Sequence, residues 1–141
     1  MPAVIVAWLP VVAYAALVWF VSGLALPSAS SDFPGRDKLV HAVEFAALGW
    51  LVARALVRTA RPAADGLWRL GVVAVLVCAG WGFLDEIHQA SVPTRSASVW
   101  DFAADTAGAS VGVLAYIARR TKRDATAAPV PSRTGIESER G

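Results

Sequence analysis

The sequence predicts an all-α, polytopic membrane protein: four transmembrane helices in a compact bundle, with both termini on the cytoplasmic side. Three observations predict it. The 141-residue chain is 56% hydrophobic and only 17% charged, which is more apolar than the globular norm. Its apolar residues are gathered into runs close to the roughly 20 residues that a helix needs to cross the hydrocarbon core. Its basic residues sit on alternate connections between those runs.

The first span covers about residues 4–26. Val4 to Leu26 carries no charge, and Pro27 with a Ser-rich loop ends it. A cleaved secretory leader over Met1 to Ser30 is the competing reading. No Lys or Arg precedes the run, and the run is longer than a leader's apolar core, so the span is preferred. The second span, about 37–57, is the least apolar because it holds His41, Glu44 and Arg54. A turn-rich connector from Arg58 to Gly66, with Pro62 and Asp65-Gly66, follows it. The third span, about 67–89, contains the uncharged run Leu70 to Leu84. A short loop with Pro93 leads to the fourth, about 99–118, where only Asp105 interrupts Phe102 to Ile117. Residues 1–120 therefore form one membrane domain. Residues 121–141 are rich in Ala, Pro, Ser and Thr, bury too little apolar surface to fold, and read as a disordered cytoplasmic tail.

Four spans put both termini and the middle connector on one side. That side holds Arg54, Arg58, Arg61, Arg69, Arg119, Arg120, Lys122, Arg123, Arg133 and Arg140, against Arg36, Lys38 and Arg95 on the other. Basic residues stay cytoplasmic, which sets the orientation. Asp32, Asp37, Glu44, Asp85, Glu86, Asp101 and Asp105 lie toward the outer side, as do His41 and His88. The net charge of +2 is too small to imply a nucleic-acid partner. The single cysteine, Cys78, permits neither an internal disulfide nor a Cys-based metal site.

The outer residues fall on shared helix faces. Asp37, His41 and Glu44 are spaced four and three apart. Gly82, Glu86 and Gln89 form a stripe near the end of the third span. Asp101 and Asp105 are one turn apart, and Gly108 and Gly112 continue that face with a spacing that lets another helix come close. Arg95 is placed to pair with Asp101 or Glu86. Intramembrane polar residues normally face the bundle interior and find partners. Three readings stay open: helix-to-helix glue, a site for a polar headgroup or other extracytoplasmic ligand, and an enzymatic site. The binding candidates are Lys38, His41, Glu44, Glu86, Gln89, Arg95, Asp101 and Asp105; catalysis would fall to His41, Glu86 and Arg95. His41 with Glu44, Glu86 and Asp105 has metal-ligating chemistry, but the spacing is generic and a structural histidine is preferred. No metal and no cofactor is expected. Trp68 and Trp100 read as interface anchors, Trp50 and Trp81 as packing residues.

Several motifs together resemble the VanZ-like family. They are Asp37-Lys38-Leu39-Val40-His41 with Glu44-Phe45 and Leu48-Gly49, then Asp85-Glu86-Ile87-His88-Gln89, then Pro93-Thr94-Arg95, then Asp101, Asp105, Gly108 and Gly112. The resemblance covers about Asp37 to Leu114; the first span is similar only in character. Thr94 stands where the family commonly has Gly, and Asp105 where many members have Asn. The resemblance implies a bacterial cytoplasmic-membrane protein with a cell-envelope role, in a family named for a protein associated with resistance to teicoplanin. It implies no settled activity. The combined expectation is a non-enzymatic protein with an outward-facing polar pocket, partnered by membrane lipids and a lipid-linked or peptidoglycan-related ligand. A membrane enzyme acting on an envelope lipid is the alternative. The oligomeric state is not legible.

Overall fold

The computed structural model describes residues 2–24, 35–63, 65–93 and 95–127, and all of its regular structure is helical. Four helices follow one another: α1 (Pro2–Ser22), α2 (Arg36–Ala60), α3 (Gly66–Ala90) and α4 (Val99–Ala127). The loop after Pro27, Thr94 and the tail from residue 128 lie outside the described residues.

Local chemistry sets the helix ends. Pro62 disfavours the right-handed helical region for the residue before it. Arg61 instead takes a left-handed conformation (φ 48°) and its N–H caps the Val57 carbonyl. At the start of α4, Ser98 Oγ accepts the Asp101 N–H at 3.2 Å, the usual side-chain cap for an orphan helix donor. The far end of α4 differs from expectation. The helix does not stop at Ala118, and residues 121–127, expected in the tail, are helical. Lys, Arg and Ala are good helix formers, and Arg120 Nε meets Asp124 Oδ2 one turn later at 2.7 Å.

α1, α2 and α3 are long and apolar enough to cross a membrane. α4 is longer, but Asp101, Asp105, Thr106 and Ser110 dilute its apolar character. That composition matches its place, because α4 packs most extensively against α2 and next against α3. α1 packs on α2 and touches α3 more lightly.

The burial pattern is inverted relative to a water-soluble domain. Ile5, Leu9, Val12, Phe20, Val43, Leu76, Phe83 and Val111 are each more than half exposed, whereas Asp85 and Asp105 are 1% and 0% exposed. A surface that apolar would aggregate in water; hydrocarbon is its natural solvent. Without a hydrophobic drive between helices, close backbone approach holds such bundles together. Here small residues supply it. A β-carbon on Gly108 would overlap the Ala42 carbonyl, one on Gly112 the Ala46 carbonyl, and one on Gly49 the Ala109 carbonyl.

Candidate functional site

The antiparallel order brings the C-terminal ends of α1 and α3 together with the N-terminal ends of α2 and α4. This is the acidic end of the bundle. Four links tie it together across helices. His41 Nδ1 (α2) lies 3.0 Å from Asp105 Oδ1 (α4). Lys38 Nζ (α2) lies 3.3 Å from Asp101 Oδ1 (α4) and 2.7 Å from Asp37 Oδ2 on its own helix. Ser22 Oγ (α1) donates to Asp85 Oδ1 (α3) at 2.5 Å, and the other oxygen of Asp85 accepts Gln89 Nε2 at 2.8 Å. The Ser98 N–H donates to Glu86 Oε2 at 2.6 Å.

The last contact explains why Glu86 sits one turn from the end of α3. In a capping box, an acid three residues into a helix accepts the N–H of the cap residue. Here α3 supplies that acid to α4 from outside, while Ser98 Oγ caps Asp101. Only one Glu86 oxygen is so engaged. Glu86 Oε1 and Asp105 Oδ2 are buried without a hydrogen-bond partner. A buried polar atom left unpaired costs on the order of 1–3 kcal/mol, and more when charged.

The sequence-selected residues divide as follows. Lys38, His41, Glu86, Gln89, Asp101 and Asp105 assemble. Glu44 is half-buried and enters through its backbone carbonyl, which accepts Tyr14 Oη at 3.3 Å. Arg95 pairs with neither Asp101 nor Glu86; Lys38 stands beside Asp101 and the Ser98 amide meets one oxygen of Glu86. It makes no ion pair among the described residues. Asp85, at this end but outside the candidate set, is one of the most deeply buried groups. Ser22 and Trp19 were missed altogether. Trp19 stacks on His88 with centroids 4.0 Å apart and planes 6° from parallel. The only signal for Ser22 is that it is the sole hydroxyl-bearing residue of α1 besides Tyr14.

Two cavities lie away from this cluster. One of about 670 Å³ opens at the opposite end among Val57, Arg58, Arg61 and Arg120. A second, of about 370 Å³, has Arg54, Arg119 and Arg123 around Trp50 and Tyr116. Those two rings meet edge to face at 5.3 Å, which keeps Trp50 in its expected packing role. Trp68 and Trp100 are largely exposed near opposite helix ends.

Three ligand-bearing groups come together from three helices: His41, Glu86 and Asp105, each offering an atom within 4.8 Å of the others. Glu44, the fourth residue with that chemistry in the sequence, is not among them.

A family model described as VanZ/LLP1 matches residues 6–120. The chain belongs to the VanZ/LLP1 family. No curated protein and no solved structure matches it. The stretch matched to VanZ/LLP1 contains the whole polar cluster, from Ser22 to Asp105, and the α2–α4 seam. It ends just before residues 121–127, which are exposed on the last turns of α4. The acidic end is therefore part of the VanZ/LLP1 domain itself, and so are α1 and its Ser22 link.

Proposed function

We propose that this VanZ/LLP1 protein spans the bacterial cytoplasmic membrane four times with both termini inside, and that its acidic end faces outward and binds the polar headgroup of a lipid-linked or peptidoglycan-related molecule. The observation that carries the reading is the charge arrangement of that end. Lys38 keeps two-fifths of its side chain exposed, and Arg95 makes no ion pair among the described residues, so two cations stand at the rim above buried acids. An anionic headgroup would be met by Arg95 and Lys38, with Asp101 holding Lys38 and Asp105 holding His41 in place. Arg is suited to phosphate and carboxylate because its planar fork pairs with two oxygens at once. The four-span reading is supported by the lipid-like exterior and by the segregation of arginines to the opposite end.

Gene deletion, tested against a panel of envelope-targeting antibiotics that includes teicoplanin, supplies the phenotype. Complementation with Arg95→Ala is then expected to fail while the amount of protein in the membrane stays at the wild-type level. If loss of complementation tracks loss of protein, the cluster only holds helices together.

One contact favours a second reading. A histidine whose Nδ1 is held by a buried carboxylate is the usual arrangement of an oriented general base. In a membrane enzyme acting on an envelope lipid, His41 or Glu86 would take the proton and Arg95 would stabilise developing negative charge. Turnover of a lipid-linked substrate by purified protein, abolished in Glu86→Gln, is the result that reading requires.

A further inference from the structure

We propose that His41, Glu86 and Asp105 bind one divalent transition-metal ion, with Zn²⁺ as its representative, between α2, α3 and α4. The site is new to this chain and does not depend on headgroup binding.

Geometry comes first. The three groups each place a ligand atom within 4.8 Å of the other two. Ligands about 2.0–2.2 Å from a common ion lie roughly 3–4 Å from each other. The 3.0 Å between His41 Nδ1 and Asp105 Oδ1 already has that value, and the separations to Glu86 are no more than 4.8 Å. The donors come from different helices, α2, α3 and α4, and each backbone is held independently. The Gly108 and Gly112 seam fixes α4 on α2, and the Glu86–Ser98 contact fixes α3 on the start of α4.

The second observation is the pair of orphaned oxygens. Glu86 is 6% exposed and Asp105 is 0% exposed, yet Glu86 Oε1 and Asp105 Oδ2 have no hydrogen-bond donor. Native proteins rarely leave such atoms unsatisfied, and an unseen ion is one of the standard explanations. Asp101 Oδ1 is a third such oxygen at this end; these two belong to the same three-residue group.

Charge points the same way. Lys38 is engaged with Asp37 and Asp101, and Arg95 reaches neither Glu86 nor Asp105. Asp85 is satisfied by Ser22 and Gln89, which are neutral. Among the described residues the buried carboxylates thus outnumber the cations that touch them, with His41 the one basic group on Asp105. A divalent ion would supply the missing positive charge where the unpaired oxygens are.

The donor set selects the metal class. Imidazole with two carboxylates suits Zn²⁺ and neighbouring transition ions, whereas Mg²⁺ and Ca²⁺ prefer all-oxygen shells. Cys78, the single cysteine of the chain, lies outside the group. Three protein ligands leave a coordination position open to water or to a ligand oxygen.

The test uses the full chain purified in detergent, stripped with chelator, dialysed and titrated with Zn²⁺ by calorimetry, with bound metal counted by elemental analysis. One Zn²⁺ per chain is expected. His41→Ala and Glu86→Gln are each expected to weaken binding at least tenfold, while Asp124→Asn at the opposite end leaves it unchanged. No stoichiometric ion in the wild type, or an affinity that neither substitution changes, overturns the proposal. Wild-type protein titrated with Co²⁺ gives an independent reading should a variant lose its helical circular dichroism. Visible bands of nitrogen- and oxygen-ligated Co²⁺ are expected; the spectrum of the aquo ion alone overturns the site.

Discussion

Gly108 of α4 rests against the backbone carbonyl of Ala42 in α2, with no room between them for a β-carbon. One turn on, Gly112 stands in the same relation to Ala46. The α2–α4 seam is thus a backbone-to-backbone contact, and it determines how near His41 comes to Asp105, three residues before Gly108.

Widening that seam should disrupt both the bundle and the cluster. Gly108→Leu must push α4 away from α2, and forced overpacking of a tight interior costs about 1–3 kcal/mol. Gly80→Ala is the matched control, because nothing lies within 4 Å of a β-carbon there, and Ala is the better helix former by about 1 kcal/mol. Unfolding in mixed detergent with increasing SDS, followed by circular dichroism, should show Gly108→Leu well below the wild type and Gly80→Ala at or slightly above it. Equal behaviour of the two variants would mean that the seam does not limit stability.

Ser22→Ala should loosen α1 specifically. It removes the donor from Asp85 Oδ1 and leaves that oxygen buried. Interhelical hydrogen bonds in membrane proteins average about 0.6 kcal/mol by double-mutant cycles and reach about 1.7, and this one has an ionisable acceptor at short range, so the upper part of that range is expected. A cycle with Asp85→Ala, which removes the acceptor, measures it. Independent, additive losses for the two substitutions would show that the contact contributes nothing.

The double duty of Glu86 can be separated by substitution. Glu86→Gln keeps a carbonyl oxygen to accept the Ser98 N–H, so the cap on α4 persists while the charge is lost. Ser98→Ala instead removes the acceptor for the Asp101 N–H, and losing an N-cap typically costs about 1 kcal/mol. Thermal unfolding should therefore fall in Ser98→Ala and hold in Glu86→Gln, whereas Zn²⁺ uptake should fall in Glu86→Gln and hold in Ser98→Ala. The reverse assignment would make Glu86 purely structural.

Much of this was legible in the sequence because the relevant signals are one-dimensional. Uncharged runs mark α1 and α3, and the three-and-four spacing of Asp37, His41 and Glu44 puts them on one face. The Gly108–Gly112 spacing announces a close neighbour. What could not be read was pairing across helices. Arg95 was assigned to Asp101 or Glu86 because opposite charges nearby in sequence suggest partners, but Lys38 stands beside Asp101 and a backbone amide meets one oxygen of Glu86. Ser22 gave almost no signal, since one hydroxyl in an apolar helix carries no spacing. A list of polar residues at one level likewise does not say whether they surround a void or interlock. The end of α4 was misjudged because the basic cluster was read as a boundary, although Arg120 and Asp124 are spaced to support a helix.

The orientation of the bundle yields the most direct prediction. Ser96 and Ala63 are both exposed and lie on connections at opposite ends, beside the acidic cluster and beside Arg61 respectively. The native Cys78 is completely buried, so the unaltered chain serves as the unreactive background and no cysteine needs to be removed. In intact cells, Ser96→Cys should react with a membrane-impermeant maleimide, and Ala63→Cys should react only after the membrane is opened. The arginines grouped around Arg58, Arg61 and Arg120 resist transfer across a bilayer, which is why the basic end is assigned to the cytoplasm. The opposite labelling pattern would turn the acidic end inward, remove an extracytoplasmic headgroup as its ligand, and leave the proposed metal site standing on its own geometry.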